Sequence, residues 1–406
     1  MTGATPSRRD LVSGNRLFGL EVVRIAMALA IVVWHYQHLA QIDTQTLPFV
    51  KEQQPFYPAL SWLYEYGAYR VPTFWSISGF IFYWLYRQSI SGGTVSGREF
   101  LVLRVSRLLP LHWLTLLLVA ALQFLYQLQN QHYFVYQHND LPHFFRQIFL
   151  ASDWGFQQGY SFNGPIWAIS VEVLVLILFY ALLRWLGGSW RVVIGVLTVC
   201  MALKLAGVTS PIVAFALYFY AGGLAALALS WHERRDGPFP SVLAPESAGR
   251  RRFNVRSPST ALVYGGTLLV GGLSLFGLAQ AGLLSNPSLR PYWLLAYLPI
   301  LLFLICRPVH VPPLLAKVVR TGSNATYALY LIHFPIQLLL ACIYSHWALQ
   351  LPFYSRTFFL LFMFATVIVS LALHQLFERP MQDWLRSGRA QSGMAHKASG
   401  SAPGRG

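Results

Sequence analysis

The chain has 406 residues, 55% of them hydrophobic and only 11% charged, with 30 basic against 14 acidic side chains for a net charge of +16. A soluble domain carries about 25% charge and about 45–50% apolar residues. The composition therefore excludes an ordinary soluble enzyme, a disordered chain, and a nucleic-acid binder that spreads its cations over solvated faces; the few charges punctuate long apolar stretches, as in a polytopic membrane protein.

About ten segments are apolar and long enough for a bilayer core of about 30 Å, which takes about 20 helical residues. They fall near 20–40, 71–88, 108–127, 165–184, 190–206, 211–230, 260–282, 291–306, 325–344 and 356–377. The first is too long for a signal-peptide core and has no small-residue cleavage site after it, so it reads as an uncleaved helix. With the N-terminus in the cytoplasm, Lys and Arg divide as 24 on the inner flanks and 6 on the outer, the bias expected of cytoplasmic loops. The expected fold is all-α: a polytopic membrane protein of about ten transmembrane helices with both termini cytoplasmic. Residues 1–18 are expected to be a cytoplasmic N-terminal segment, 19–386 the transmembrane domain, and 387–406 a disordered Gly/Ser/Ala-rich cytoplasmic tail.

The longest outer loops, 41–70 and 128–164, are aromatic, polar and poor in charge. They either cap a site from outside or sit at the interface that Trp and Tyr favour. The inner loop 231–259, with Arg250-Arg251-Arg252, reads as a solvated segment resting on anionic lipid headgroups. Cys200, Cys306 and Cys342 lie far apart in apolar stretches and read as packing residues rather than metal ligands or a disulfide framework. No phosphate loop, Rossmann glycine motif, HExxH or clustered metal ligands occur, so no metal is expected.

Ionisable groups inside a bilayer cost at least about 2.5–3.5 kcal/mol each near its centre and so mark candidate positions. In the first span Arg24 and His35 are eleven residues apart, close to three turns, and share a face about 16 Å apart along the axis. Separately they read as a snorkelling anchor and an interhelical histidine; together they suggest a path from a cytoplasmic anion site to a deeper base. Arg104 and Arg107, at i and i+3, project together at the inner surface, as two anchors or as a bidentate phosphate clamp. Phe74 to Phe80 in the second span carries Ser76, Ser78 and Gly79, small residues suited to close helix packing. Ser78 has no GxSxG elbow around it. Glu172 is a carboxylate well within the fourth span and requires a partner or a proton. In the ninth span His333 lies near mid-membrane with Tyr330 one turn below, and Pro335 loosens the helix and frees a carbonyl.

These residues, taken in order, resemble the acyltransferase-3 family of integral membrane acyltransferases over roughly residues 16–385. The resemblance rests on Leu20-Glu21 leading to Arg24 and His35, Phe74 through Ser78-Gly79-Phe80, and Phe100 with Arg104, Arg107, Leu108 and Pro110. It continues through Gly164-Pro165-Ile166-Trp167 with Ser170 and Glu172, Tyr327 through Tyr330-Leu331-Ile332-His333-Phe334-Pro335, and Glu378-Arg379-Pro380. Leu20-Glu21-Val22-Val23 departs from the Asp and Gly-Leu that the family usually places before its arginine. The resemblance implies a multi-pass protein of a bacterial-type inner membrane. It transfers an acyl group, most often acetyl, from cytoplasmic acyl-CoA to a hydroxyl of a cell-envelope or exported carbohydrate. Arg24 and His35 match the family's Arg/His pair, Arg104 and Arg107 its donor motif, and Glu172 and His333 its later polar positions. Some members carry an extracytoplasmic esterase-like domain at the C-terminus; this chain ends without one and is expected to complete transfer itself or pass the acyl group to a separate protein.

The expected mechanism has Arg104 and Arg107, helped by Arg24, holding the CoA phosphates. His35 deprotonates the acceptor hydroxyl or carries the acyl group, Glu172 orients His35 or His333, and Tyr330 or His333 steadies the oxyanion. A peptidoglycan, O-antigen, exopolysaccharide, glycolipid or small secondary metabolite would serve as acceptor. The alternative is a transporter or flippase for a lipid-linked saccharide, and a third option is an envelope glycan polymerase. The expected paired inverted repeats of a transporter are not evident in the sequence.

Overall fold

The structure is a computed structural model and describes residues 17–42, 49–236, 290–306 and 311–386. Helices account for the regular structure, with no strand among the described residues. Six helical segments are long and apolar enough to cross a membrane: Phe18–Gln41, Gly97–Asn130, Gly164–Leu186, Pro211–His232, Pro313–His346 and Arg356–Arg386. Each matches an expected span. The expected spans near 71–88, 190–206 and 291–306 are also helical, as Val71–Ser91, Trp190–Leu205 and Arg290–Ile305. They fall outside the six because the first is rich in polar and aromatic residues and the other two are 16 residues long. The expected span 260–282, the tail 387–406, most of the loop 231–259 and most of the segment 1–18 lie outside the described residues.

Two of the helices are much longer than their expected spans. The helix Gly97–Asn130 has 34 residues, about 51 Å at 1.5 Å per residue, where the apolar pattern alone marks 108–127. Its start is set by local chemistry. Ser96 accepts from the Glu99 amide while the Glu99 carboxylate accepts from the Ser96 amide, a reciprocal cap that satisfies two otherwise orphaned donors. Arg98, Arg104 and Arg107 thus ride on helical turns that precede the apolar stretch. Pro313–His346 is extended in the same way.

We number the helices α1 (Phe18–His35), α2 (Tyr57–Glu65), α3 (Val71–Ser91), α4 (Gly97–Asn130), α5 (Leu141–Ile148), α6 (Trp167–Leu186), α7 (Trp190–Leu205), α8 (Pro211–Asp236), α9 (Arg290–Ile305), α10 (Pro313–His346) and α11 (Arg356–Leu373). The chain forms two compact units. Among the described residues, the first comprises 17–29, 68–94, 171–236, 290–306 and 311–323, and the second 30–42, 49–67, 95–170 and 324–386.

In the first unit α3 packs against α8 and α8 against α7 and α9. The α3–α8 contact is a crossing of backbones. A Cβ on Gly79 would lie 1.8 Å from the Phe219 carbonyl oxygen, and one on Gly222 would lie 1.9 Å from that of Ser76. Small residues permit this approach in apolar helices, as the Ser76–Phe80 segment suggests. Phe80, Phe179, Phe215 and Phe219 are buried around it.

In the second unit α4 and α10 share a core of Leu116, Val119, Leu122, Tyr126, Phe334, Leu338, Ala341 and Cys342. Cys200, Cys306 and Cys342 are all free and buried, as packing residues should be. The stretch after α4 folds over this core, with Phe134 and Phe162 in contact with it. Its short helix α5 is capped by Asp140, whose Oδ1 accepts from the His143 amide at 2.9 Å and lies 2.6 Å from Nδ1 of His143. The amide bond, followed by the ring contact, holds the Asp140 carboxyl below the usual carboxylate range. Its stabilising effect is therefore complete above the unfolded pKa of about 3.9 and is lost as pH falls through the lower folded value. Asp140→Ala is expected to cost about 1 kcal/mol, a difference in thermal or denaturant stability that is constant at neutral pH and vanishes in strong acid.

Candidate active site

Three imidazoles converge in the second unit. His35 is the last residue of α1. The chain then tightens into a 3-10 turn, Tyr36–Gln41, in which residues three apart eclipse, so His38 stacks on His35 with ring centroids 4.8 Å apart and planes at 19°. Tyr36 anchors the turn, its hydroxyl donating to the Phe353 carbonyl at 2.7 Å. His333 comes from mid-α10 and is fully buried; its Nε2 lies 2.6 Å from Nδ1 of His35. Nδ1 of His333 lies 3.3 Å from the Leu329 carbonyl oxygen.

Gln337, one turn beyond His333, ties the cluster together. Its Nε2 donates to the His35 carbonyl at 2.8 Å, and its Oε1 lies 3.2 Å from Nδ1 of His38. Pro335 has no amide hydrogen, so the Leu331 carbonyl loses its helical donor. The buried Asn163 side chain takes its place, donating to that carbonyl at 3.0 Å. The expected freed carbonyl is thus present, and it is satisfied by the stretch leading into α6.

The Tyr330 hydroxyl donates to the Pro165 carbonyl oxygen, and its ring centroid is 6.0 Å from that of His333. Its proton is held by a backbone acceptor, so an oxyanion role would require that bond to be exchanged. Arg104 and Arg107 stand on α4, both partly buried, with the Arg104 guanidinium carbon 5.9 Å from the Phe100 ring centroid. Arg386 Nε donates to the Ser106 hydroxyl between them at 3.4 Å. A third guanidinium therefore joins this stretch.

In the first unit, Oε1 of Glu172 accepts from the Ser78 hydroxyl at 2.7 Å, which supplies the partner a carboxylate in a span requires. On α1, Glu21 lies one turn before Arg24 and pairs with Arg320, Nε to Oε1 at 3.8 Å.

Of the residues singled out in the sequence, the structure joins His35 to His333, and Tyr330 to His333 more loosely, and it keeps Arg104 with Arg107. It gives Glu172 to Ser78. His38, Gln337, Asn163 and Arg386 were not singled out. Two of these were legible from spacing: His38 is three residues after His35, and Gln337 is four after His333 on one helix face. Asn163 and Arg386 carried no local signal.

An imidazole holds a donor and an acceptor at once, so the cluster can take and pass a proton away from bulk water. The 2.6 Å contact is the length of a hydrogen bond, and no group of three His, Cys, Asp or Glu among the described residues is placed to hold a metal ion. Six helices long and apolar enough to cross a bilayer mark a multi-pass membrane protein, and the buried histidine cluster lies in its second unit. The acyltransferase domain model of the acyltransferase-3 family matches residues 17–375, and the chain belongs to that family. No curated protein and no solved structure matches the chain significantly.

Proposed function

We propose that this acyltransferase moves an acyl group, acetyl foremost, from cytoplasmic acyl-CoA to a hydroxyl of a cell-envelope or exported carbohydrate or glycolipid. It works from a bacterial-type inner membrane crossed about ten times, with both termini in the cytoplasm. The observation that carries this reading is the buried His35–His333 pair at 2.6 Å, a proton acceptor with a partner already in place.

In the proposed reaction Arg104 and Arg107 hold the phosphates of the donor and Arg386 beside Ser106 adds to that charge; Arg24 on α1 keeps the share that its family motif implies. His35 takes the proton of the acceptor hydroxyl as its oxygen attacks the thioester carbonyl. The new C–O bond forms, the C–S bond breaks, and the CoA thiolate leaves with the proton returned from His35. Glu172 keeps the share in catalysis that its family motif implies, now with Ser78 beside it.

Membranes carrying the protein, given acyl-labelled acetyl-CoA, are expected to release CoA and to place label in an envelope glycan; label in no glycan and no CoA release would refute the reading. Charge-assisted hydrogen bonds are worth about 1.5–3 kcal/mol, so Arg104→Ala should raise the donor KM about tenfold or more. That penalty should shrink as salt screens the wild-type advantage. An unchanged KM removes Arg104 from the donor site.

A further inference from the structure

We infer that His333 is a positioning residue that fixes the proton of His35 on Nδ1 and leaves Nε2 of His35 as the proton-accepting nitrogen. What that nitrogen then does rests on the acyl-transfer reading; the placement of the proton does not.

The assignment starts at a carbonyl. The Leu329 oxygen has no proton to give, so Nδ1 of His333, 3.3 Å away, is the donor. A neutral imidazole carries one N–H, which leaves a lone pair on Nε2 of His333. That lone pair faces Nδ1 of His35 at 2.6 Å, so Nδ1 of His35 carries the shared proton. The free lone pair of His35 is then on Nε2, to which no hydrogen bond is formed among the described residues.

The contact geometry agrees. The two ring planes are 16° apart with centroids 4.8 Å apart. With nitrogens 2.6 Å apart, the rings meet edge to edge, where the in-plane lone pair lies. The opposite arrangement would need an imidazolium at His333. That ring is 0% exposed and faces the Leu329 and Tyr330 carbonyls and an imidazole through its nitrogens, neutral groups that do not offset a buried charge.

Gln337 holds the other side by the same logic. Its Nε2 is committed to the His35 carbonyl, so its Oε1 is the atom at His38 and accepts from Nδ1–H there. The end of α1 is thereby pinned in the position that brings His35 to His333. The relay has the logic of a base with an orienting partner, with a backbone carbonyl as its far end instead of a carboxylate. When His35 takes the acceptor proton, its Nδ1–H bond to His333 becomes charge-assisted and strengthens.

The test uses the full chain, labelled with 15N-histidine and reconstituted in lipid bilayers. Ring-nitrogen NMR signals that disappear in His35→Gln belong to His35. They are expected to show a protonated Nδ1 and a bare Nε2, and His333→Leu should shift the population toward the Nε2–H form. Relative to the wild type, kcat for acyl transfer should fall about 10²–10⁴-fold in His333→Leu, the scale of losing a base or its tautomer, with the donor KM changed less than about twofold. His333→Gln, which places an amide oxygen where Nε2 stood, should recover most of the lost kcat. A wild-type His35 protonated on Nε2, or equal kcat in His333→Leu and His333→Gln, overturns the assignment. If instead no acyl transfer occurs in any sample while the wild-type NMR shows Nδ1–H, the acyl-transfer reading falls and the proton placement stands.

Discussion

Replacing His35 by alanine or glutamine is expected to lower acyl transfer by about 10²–10⁴-fold, the contribution of a positioned general base. The loss should appear in kcat, because the donor phosphates are assigned to arginines elsewhere in the chain. The protein should still fold. His35 stands at the end of α1, and the turn after it is anchored independently by Tyr36, whose hydroxyl bonds the Phe353 carbonyl and whose ring packs on Phe353 and Phe359. Steady-state rates with labelled acetyl-CoA, alongside the elution profile of the solubilised protein, separate the two effects. Near-wild-type kcat in well-folded His35→Gln would end the assignment of His35 as base. Accumulated label on His35 in the wild type, after quenching, would make it a covalent carrier instead.

The largest expected effect on folding comes from two glycines far from the histidines in sequence. Gly79 and Gly222 each meet a backbone carbonyl across the α3–α8 crossing, where an added Cβ would stand within 2 Å of an oxygen. A flexible side chain would yield, but a carbonyl held in a helix cannot, so the helices must separate. Gly79→Ala and Gly222→Ala should each cost at least the upper part of the 1–3 kcal/mol range for overpacking. The expected readout is a lower melting temperature and less monodisperse protein in detergent. Gly195→Ala is the control: nothing lies within 4 Å of a Cβ there, and removing a mid-helix glycine should leave stability unchanged or slightly raised. Wild-type stability in both crossing variants would mean that α3 and α8 do not approach this closely.

Much of the helical plan was legible because it rests on short-range physics. An apolar run of about 20 residues has few ways to satisfy its backbone other than a helix, and the runs at 165–184, 211–230 and 356–377 match helices closely. The extended start of α4 was less visible, since hydropathy tracks the lipid-facing stretch and not the polar turns before it. The Ser96–Glu99 cap marks that start once it is looked for. Pro335 shows both sides of the matter. That it would free a carbonyl follows from its chemistry alone, but that Asn163, 168 positions away from Leu331, fills the vacancy does not.

The sequence by itself determined an all-helical membrane protein, its family, and the residue types available for catalysis, because composition, apolar length and ordered motifs are properties of neighbouring residues. Only the tertiary structure decided which of those residues work on one another. It set His35 against His333 across 298 positions and gave Glu172 to Ser78 across 94. Hydrogen bonds reach about 3 Å, and no pattern along the chain specifies which distant helix faces meet at that distance.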